Sequence, residues 1–345
     1  MDYRKYCIGK EVSIKEAMKA LDSSVPKIVF ITEEKRVLAS LTDGDVRRFL
    51  LRDGKLTDFA VDAANKEPKV AHNSEEAQKL YQDGNYVAIP IVDQNRYILD
   101  LYIGTAVKGD KIVKLNIPVV INAGGKGTRL DPYTKILPKP LIPVGELPIT
   151  EHIMQRFQKY GCEQFSMILN YKKDLIKAYF ADSERKYHIT YYDEEKPLGT
   201  GGGLCYLKDR LHTTFFFTNC DNLLLADYEN MVKFHRKNRN KITMIGAYKN
   251  VQIPYGVIEM GENGTIEDMK EKPEFSYLVN TGIYLVEPEV LEYIEDGVPV
   301  GFPDIVERAR ANGEKVGVYP ISEQDWLDMG QIPELEKMRE RLYGE

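Results

Sequence analysis

Apolar positions along this chain change their period at one place, near Ile117. Before it, a helical stripe in "SIKEAMKAL" leads into two short apolar runs, "KIVFIT" and "RVLASL", and the same order returns as "SEEAQKLYQDGN", "YVAIPIVD" and "RYILDLYI". An amphipathic helix followed by two strands, met twice, predicts a tandem repeat. After Ile117, apolar strands alternate with longer helical patterns, the rhythm of a doubly wound α/β domain. The stretch "VKGDKIVKLN" reads as the boundary, dividing the chain into residues 1–113 and 117–345.

Within the second part the pattern predicts strands at "PVVINA", "FSMILN", "HITYYD", "TFFFTN", "ITMIGAY" and "LVNTGIYLV". A helix is expected at "ITEHIMQRFQKYG", with Ile149, Ile153, Phe157 and Tyr160 on its apolar face and Gly161 closing it. A hairpin is expected around "GENGT", and "PELEKMRERLYG" reads as the last helix.

Composition narrows the function classes. A length of 345 residues with 43% hydrophobic positions favours two domains. A formal charge of -6 argues against a broad nucleic-acid surface, which needs clustered excess base, but leaves room for a small anionic ligand. The start "MDYRKYCIGK" has no apolar leader core and no run approaches a membrane span, so a cytoplasmic chain is expected. Cys7, Cys162, Cys205 and Cys220 form no paired motif and read as reduced thiols. The five histidines, His72, His152, His188, His212 and His235, stand in unrelated contexts, which gives nucleophilic catalysis no support.

The chemistry concentrates after "IPVVI", in "NAGGKGTRLDPYTKILPKP". Glycines at a strand's exit let main-chain N–H groups approach phosphate oxygens, because no Cβ intervenes. Arg129 offers a planar fork, and Lys139 a compact charge between two prolines that restrict its backbone. Walker A is excluded because Gly127, not Ser or Thr, follows the lysine of "GGKG", and the dinucleotide fingerprint is excluded because Leu130 stands where its last glycine belongs.

"AGGKGTRLDPYTKILPKPLIPV" resembles the signature of the sugar-1-phosphate nucleotidyltransferases, also called NDP-sugar pyrophosphorylases. The resemblance implies a Rossmann-like doubly wound mixed sheet. It implies that Ala123, Gly124, Gly125, Gly127 and Thr128 wrap a nucleoside triphosphate while Arg129 and Lys139 neutralise its phosphates. Gly199 and Thr200 of "EKPLGTGGGL" would contact base and ribose. Asp221, at the end of "FFFTNCD", and Asp328, in "WLDMG", would hold Mg²⁺, with Cys220 standing where the family usually has glycine. On the sugar side, Gly256, Glu271, Lys272, Asn280 and Thr281 would form the sugar-phosphate pocket. Read without the resemblance, Asp221 is a turn residue, Asp328 a helix cap, and the Glu271–Lys272 pair a solvated surface feature.

The front repeat resembles a tandem pair of CBS domains, a Bateman module. Thr42 and Asp45 of "LASLTDGDVRR" match the spacing of the family's ribose-contacting pair, so AMP, ADP or ATP is an implied ligand; the plain alternative is a helix cap at "DVRRFLL". The second copy, "LDLYIGTAV", lacks the aspartate. Such modules also serve as dimerisation surfaces, so a homodimer or higher homo-oligomer is implied.

The combination resembles bacterial glucosamine-1-phosphate guanylyltransferases of legionaminic acid synthesis, which implies GTP and glucosamine-1-phosphate as substrates and pyrophosphate as product. Mannose-1-phosphate or glucose-1-phosphate with another nucleotide, a non-catalytic adenylate-sensing subunit, and a cytidylyltransferase acting on phosphocholine are the alternatives.

Overall fold

In the computed structural model the described residues are 2–84, 86–104, 114–182 and 187–344. The chain divides into two units, Met1–Lys111 and Ile112–Glu345. Most of the expected boundary, and the end of the second repeat at "TAV", lie outside the described residues.

In the first unit the repeat is visible in the backbone. Cys7–Gly9 pairs parallel with Ile28–Glu33, which turns back as Arg36–Thr42, and helix Ile14–Asp22 connects the first two strands. The second copy repeats this: a parallel bridge joins Ala71 to Ile91, helix Ser74–Asp83 intervenes, and Ala88–Val92 pairs antiparallel with Ile98–Ile103. Each helix starts at a side-chain cap, Ser13 on the Glu16 N–H and Asn73 on the Glu76 N–H. Phe30 and Val37 of the first copy pack with Val92, Ile98 and Leu101 of the second, so the two copies share apolar surface that neither could bury alone.

The second unit is built on a seven-stranded mixed sheet: β1 (Val119–Asn122), β2 (Gln164–Leu169), β3 (His188–Asp193), β4 (Phe215–Asn219), β5 (Ile242–Gln252), β6 (Glu274–Val286) and β7 (Val316–Ser322). Their spatial order is β3-β2-β1-β4-β6-β5-β7, with β6 antiparallel to both neighbours and every other pair parallel. Alternation assigns the faces. Val119, Ile121 and Phe216 point to one core, shared with α1 (Ile149–Gln158), α2 (Lys173–Asp182), α3 (Tyr228–Asn238) and the last helix. Val120, Phe215 and Phe217 point to the other, covered by α4 (Phe302–Ala311). The last helix, α5, spans Ile332–Tyr343.

The predicted helix at 149–161 is α1, and Ile149, Ile153 and Phe157 are buried as its stripe requires. Gly161 lies beyond it at φ +71. The hairpin around "GENGT" joins Val257–Met260 to Ile266–Lys270. The chain leaves β1 for β2 on one side and later returns to β4 on the other, so the carboxyl end of β1 is a topological switch point, where such sheets leave a crevice. Among the described residues no helix is long and apolar enough to cross a membrane, and all four cysteines are free.

Candidate active site

The glycine turn leaves β1 at that switch point. The Ala123 N–H donates to the Ile168 carbonyl at 2.9 Å and the Tyr171 N–H to the Gly124 carbonyl at 3.3 Å, tying the turn to the end of β2. Gly127 sits at φ +67, and a Cβ there would come within 3.0 Å of the Thr134 methyl and 3.1 Å of Lys139 Cβ. Only glycine serves both the left-handed backbone and the close passage of the lysine. Beside Gly125 no atom lies within 4 Å of where a Cβ would stand, so that side of the turn is open to an incoming group. The Lys172 ammonium donates to the carbonyls of Lys135 at 2.5 Å and Ile136 at 2.8 Å, anchoring the segment that leads into Lys139.

The two aspartates come together through a ribbon too short to read from sequence. β4 ends at Asn219, Asp221 occupies the following turn, and Asn222–Leu224 pairs antiparallel with Trp326–Asp328, placing Asn222 opposite Asp328. The Met329 N–H donates to the Asp221 carbonyl at 2.9 Å. Asp328 is therefore a strand residue, and the N-cap of α5 is Gln331. The Lys139 ammonium is ion-paired with the Asp221 carboxylate, both side chains being largely buried.

Electrostatics ties the same groups together. Burial lowers the Lys139 ammonium's pKa, but Asp221, Cys220 and Asp328 around it more than offset this, and the net shift is upward. The Asp328 carboxyl is pushed up to about 6, by burial first and the Asp221 charge second, against the opposing pull of Lys139 and Arg129. Arg129 itself is exposed at the rim.

The donor set fits a hard divalent cation such as Mg²⁺. Two hard carboxylates at the same end of the short ribbon repel each other, and a dication between them removes the repulsion. Asp221 and Asp328 would hold it. Among the described residues no three acidic, histidine or cysteine side chains converge, so further oxygens would come from phosphate and water.

The second glycine turn faces the first. Asn122, the last residue of β1, donates through Nδ2 to the Thr200 carbonyl at 3.4 Å, and Thr200 Oγ1 accepts from the Phe302 N–H at 3.0 Å. Gly199 adopts φ +78 with its α-carbon against the Val300 backbone; a Cβ would lie 2.7 Å from the Val300 carbonyl oxygen.

Between these turns sits a residue that sequence reasoning missed. Glu194 follows β3 and is 5% exposed. Its Oε1 is buried with no hydrogen-bond partner, and burial pushes its carboxyl up to about 7 despite a stabilising backbone N–H from Leu198. Cβ atoms at Gly124 and Gly203 would lie 3.1 Å from Oε2 and 2.6 Å from Oε1, so both glycine turns make room for this carboxyl. In "DEEKPLG" it reads as one of a run of solvated charges; the signal available was its place directly after a strand that ends at the crevice.

The residues expected on the sugar side lie along β6 and the hairpin. Glu271 and Lys272 are exposed, with Glu271 Oε2 3.0 Å from where a Gly256 Cβ would stand. Asn280 donates to the Tyr284 hydroxyl at 2.7 Å, while the Thr281 hydroxyl is buried and donates to the Ile245 carbonyl at 2.8 Å. Thr281 is thus engaged by the backbone, whereas Glu271 and Lys272 face solvent.

In the first unit, Thr42 and Asp45 form a capping box at the start of helix Asp43–Leu50. The Thr42 hydroxyl accepts from the Asp45 N–H at 3.3 Å, and Asp45 Oδ2 accepts from the Thr42 N–H at 2.9 Å and its hydroxyl at 2.6 Å. Arg48 pairs with the other carboxylate oxygen. The cap reading is what the geometry displays.

Comparison with known proteins bears on the second unit. The chain is 30% identical over 240 residues to a UTP–glucose-1-phosphate uridylyltransferase of Synechocystis, covering 62% of this chain and 60% of that one. It is 32% identical over 220 residues to a mannose-1-phosphate guanylyltransferase of Mycobacterium tuberculosis, covering 62% and 61%. The chain therefore spans about three fifths of the length of these curated relatives. The crystal structure of HddC from Yersinia pseudotuberculosis superposes with a TM-score of 0.52 at 21% identity, over 65% of this chain and 99% of that one, a likeness of fold. Residues 118–343, which hold both glycine turns and both aspartates, match the model of the nucleotidyl transferase family, and the chain is a member of it.

Proposed function

We propose that this protein transfers a nucleoside monophosphate from GTP to a sugar-1-phosphate, glucosamine-1-phosphate foremost, releasing pyrophosphate. The observation that carries nucleotidyl transfer is the convergence of the Lys139–Asp221 pair with Asp328 at the exit of a glycine turn. A sugar-phosphate oxygen would attack the α-phosphorus in line with the departing pyrophosphate, so the protein's share is positioning and charge neutralisation. The main-chain N–H groups around Gly124 and Gly125 would bind the triphosphate, and Arg129 and Lys139 would favour the leaving group. Asp221 and Asp328 would hold Mg²⁺, which when bound would supply charge stabilisation to the reacting phosphates.

Glu194 supports guanine as the base. In its ionised form this carboxyl, raised to about 7 by burial, favours a ligand edge rich in N–H donors, which would pair the orphaned oxygen and draw the proton off. Guanine places two such donors side by side. Uracil and thymine flank their single N–H with carbonyls that a carboxylate repels, and adenine and cytosine set one amino group beside an acceptor nitrogen. The sugar assignment and the role in legionaminic acid or surface-glycan synthesis rest on the resemblance of the sequence motifs; mannose- and glucose-1-phosphate are the alternatives, and the relatives include enzymes named for both sugars. A non-catalytic adenylate sensor is disfavoured by the presence of Arg129, Lys139, Asp221, Lys272 and Asp328 together. The first unit is read as a CBS pair that binds an adenine nucleotide or joins two copies.

The test is one screen of four nucleoside triphosphates against glucosamine-, mannose- and glucose-1-phosphate, scored by Mg²⁺-dependent pyrophosphate release. GTP with glucosamine-1-phosphate should be the fastest pair. No release with any pair would overturn the enzymatic reading.

A further inference from the structure

Arg156 lies on α1, in the core layer rather than in the crevice, yet its guanidinium ends on the segment that follows Asp221. Nε donates to the Leu224 carbonyl at 3.0 Å, and Nη2 donates to the Leu225 carbonyl at 2.5 Å and the Ala226 carbonyl at 2.8 Å. Its carbon centre stands 5.3 Å from the Tyr160 ring and 5.6 Å from the Tyr228 ring, and those two rings are stacked at 4.9 Å. Among the described residues its hydrogen bonds to main chain all go to this one stretch, and no carboxylate pairs with it.

The ribbon that Arg156 touches has three residue pairs, far short of what holds two strands together unaided. At one end the Met329 N–H bonds the Asp221 carbonyl, and at the other the Leu225 N–H bonds the Asp325 carbonyl at 2.8 Å. The first end carries two carboxylates of like charge, which favours splaying. The second end is where Arg156 ties three successive carbonyls to a helix whose Ile149, Ile153 and Phe157 are fully buried in the core. A planar guanidinium presents several donors to these carbonyls in a fixed geometry, whereas a lysine, as Lys172 shows at residues 135 and 136, gathers carbonyls from a flexible stem.

We infer that Arg156 is a positioning residue: by clamping residues 224–226 to α1 it fixes the spacing of Asp221 and Asp328 and so the affinity of that pair for a divalent cation. This rests on the reading of the two aspartates as a cation site. Its distinguishing consequence is a metal-binding defect that exceeds any loss of overall stability.

The experiment titrates Mn²⁺ into the full-length, substrate-free protein by electron paramagnetic resonance, in wild type, Asp221→Asn, Arg156→Ala and Arg156→Lys, and follows amide exchange in parallel. Arg156→Ala should raise the Mn²⁺ dissociation constant at least tenfold and speed exchange at the Leu225 and Met329 amides at least tenfold, with β2 and β3 unchanged. Arg156→Lys should fall between Ala and wild type. In assays, kcat at fixed Mg²⁺ should drop about tenfold while the KM for nucleoside triphosphate stays within twofold. If Asp221→Asn binds Mn²⁺ like wild type, the cation-site reading itself fails. If Asp221→Asn loses Mn²⁺ but Arg156→Ala binds it within twofold of wild type, the clamp is refuted. Should Arg156→Ala fail to fold, Arg156→Met, which keeps an apolar stem and removes every donor, decides in its place, since wild-type Mn²⁺ affinity and exchange there would refute the clamp equally.

Discussion

The N–H of Met329 reaches the carbonyl of Asp221 at 2.9 Å, and with it two aspartates more than a hundred positions apart come together, Asp221 in the turn before one strand of the short ribbon and Asp328 at the end of the other. The Lys139 ammonium is already paired with one of them, so a cation binding here competes with a lysine for Asp221. Asp221→Asn removes an anionic oxygen from both relationships while keeping the side chain's shape. We expect kcat to fall at least 100-fold at saturating substrates, about 3 kcal/mol of transition-state stabilisation. Activity within threefold of wild type would take Asp221 out of the metal site.

How much of this was legible varies with the length of the element. Strands of five or six residues announce themselves by composition: the three phenylalanines of "TFFFTN" are all buried, and the β-branched and aromatic residues of "HITYYD" mark a strand although it stays only half-buried at the sheet edge. The ribbon of Asn222–Leu224 with Trp326–Asp328 does not, because three residues set no period and pairing depends on a partner far along the chain. Glu194 is hidden for a different reason: its burial is created by glycines elsewhere, which leave space for it. Arg156 did leave a trace, since it falls seven residues after Ile149 and three after Ile153, on the stripe that the helical period assigns to the interior. Thr42 and Asp45 fit a ribose motif and a capping box equally well as letters, and the coordinates display the capping box.

Glu194→Gln separates guanine from the pyrimidines. A carboxamide offers one acceptor and one donor, matching an N–H beside a carbonyl, as in uracil, better than guanine's two adjacent donors. The kcat/KM for GTP should fall 10- to 100-fold, the range for leaving buried polar groups mismatched, and the UTP-to-GTP ratio should rise by at least the same factor. A ratio within twofold of wild type would show that Glu194 does not face the base.

Lys272→Ala addresses the sugar side. The side chain is exposed, next in sequence to Glu271, so its removal should leave the fold intact. The KM for the sugar-1-phosphate should rise about tenfold or more, with the KM for nucleoside triphosphate unchanged. Equal sugar-phosphate KM values for variant and wild type would rule out a phosphate contact at this position.

In the first unit, the Asp45 carboxylate already accepts from the Thr42 N–H, the Thr42 hydroxyl and Arg48, which occupies three of its roughly four acceptor positions. A ribose hydroxyl would compete for what is left. Calorimetry of the full chain with AMP, ADP and ATP should show binding of at least one nucleotide, weakened tenfold or more in Asp45→Ala. That variant should also lose about 1 kcal/mol of stability with its capping box. Absence of heat with all three nucleotides would leave the unit a scaffold.

Asp328 makes the apo site pH-sensitive, and the sign follows from its shift. Its carboxyl ionises at about 6 in the folded chain against 3.8 ordinarily, so the metal-free folded protein holds this proton more tightly than the unfolded chain does. Well below pH 3.8 both states are protonated and the residue is neutral toward stability. Between pH 4 and 6 the unfolded chain ionises first, stability falls as pH rises, and above 6 the deficit is constant. Asp328→Asn, which imitates the protonated form, should therefore melt higher than wild type in EDTA at pH 7.5, by on the order of 1–2 kcal/mol once solvent access is allowed for. The difference between the two proteins should shrink steadily as pH falls from 6 to 4, and the variant should have lost nucleotidyl transfer. The check is a set of denaturant melts of both proteins from pH 4 to 8 without divalent cations. A wild-type advantage at pH 7.5 would mean that Lys139 and Arg129 outweigh burial and Asp221 at this carboxylate.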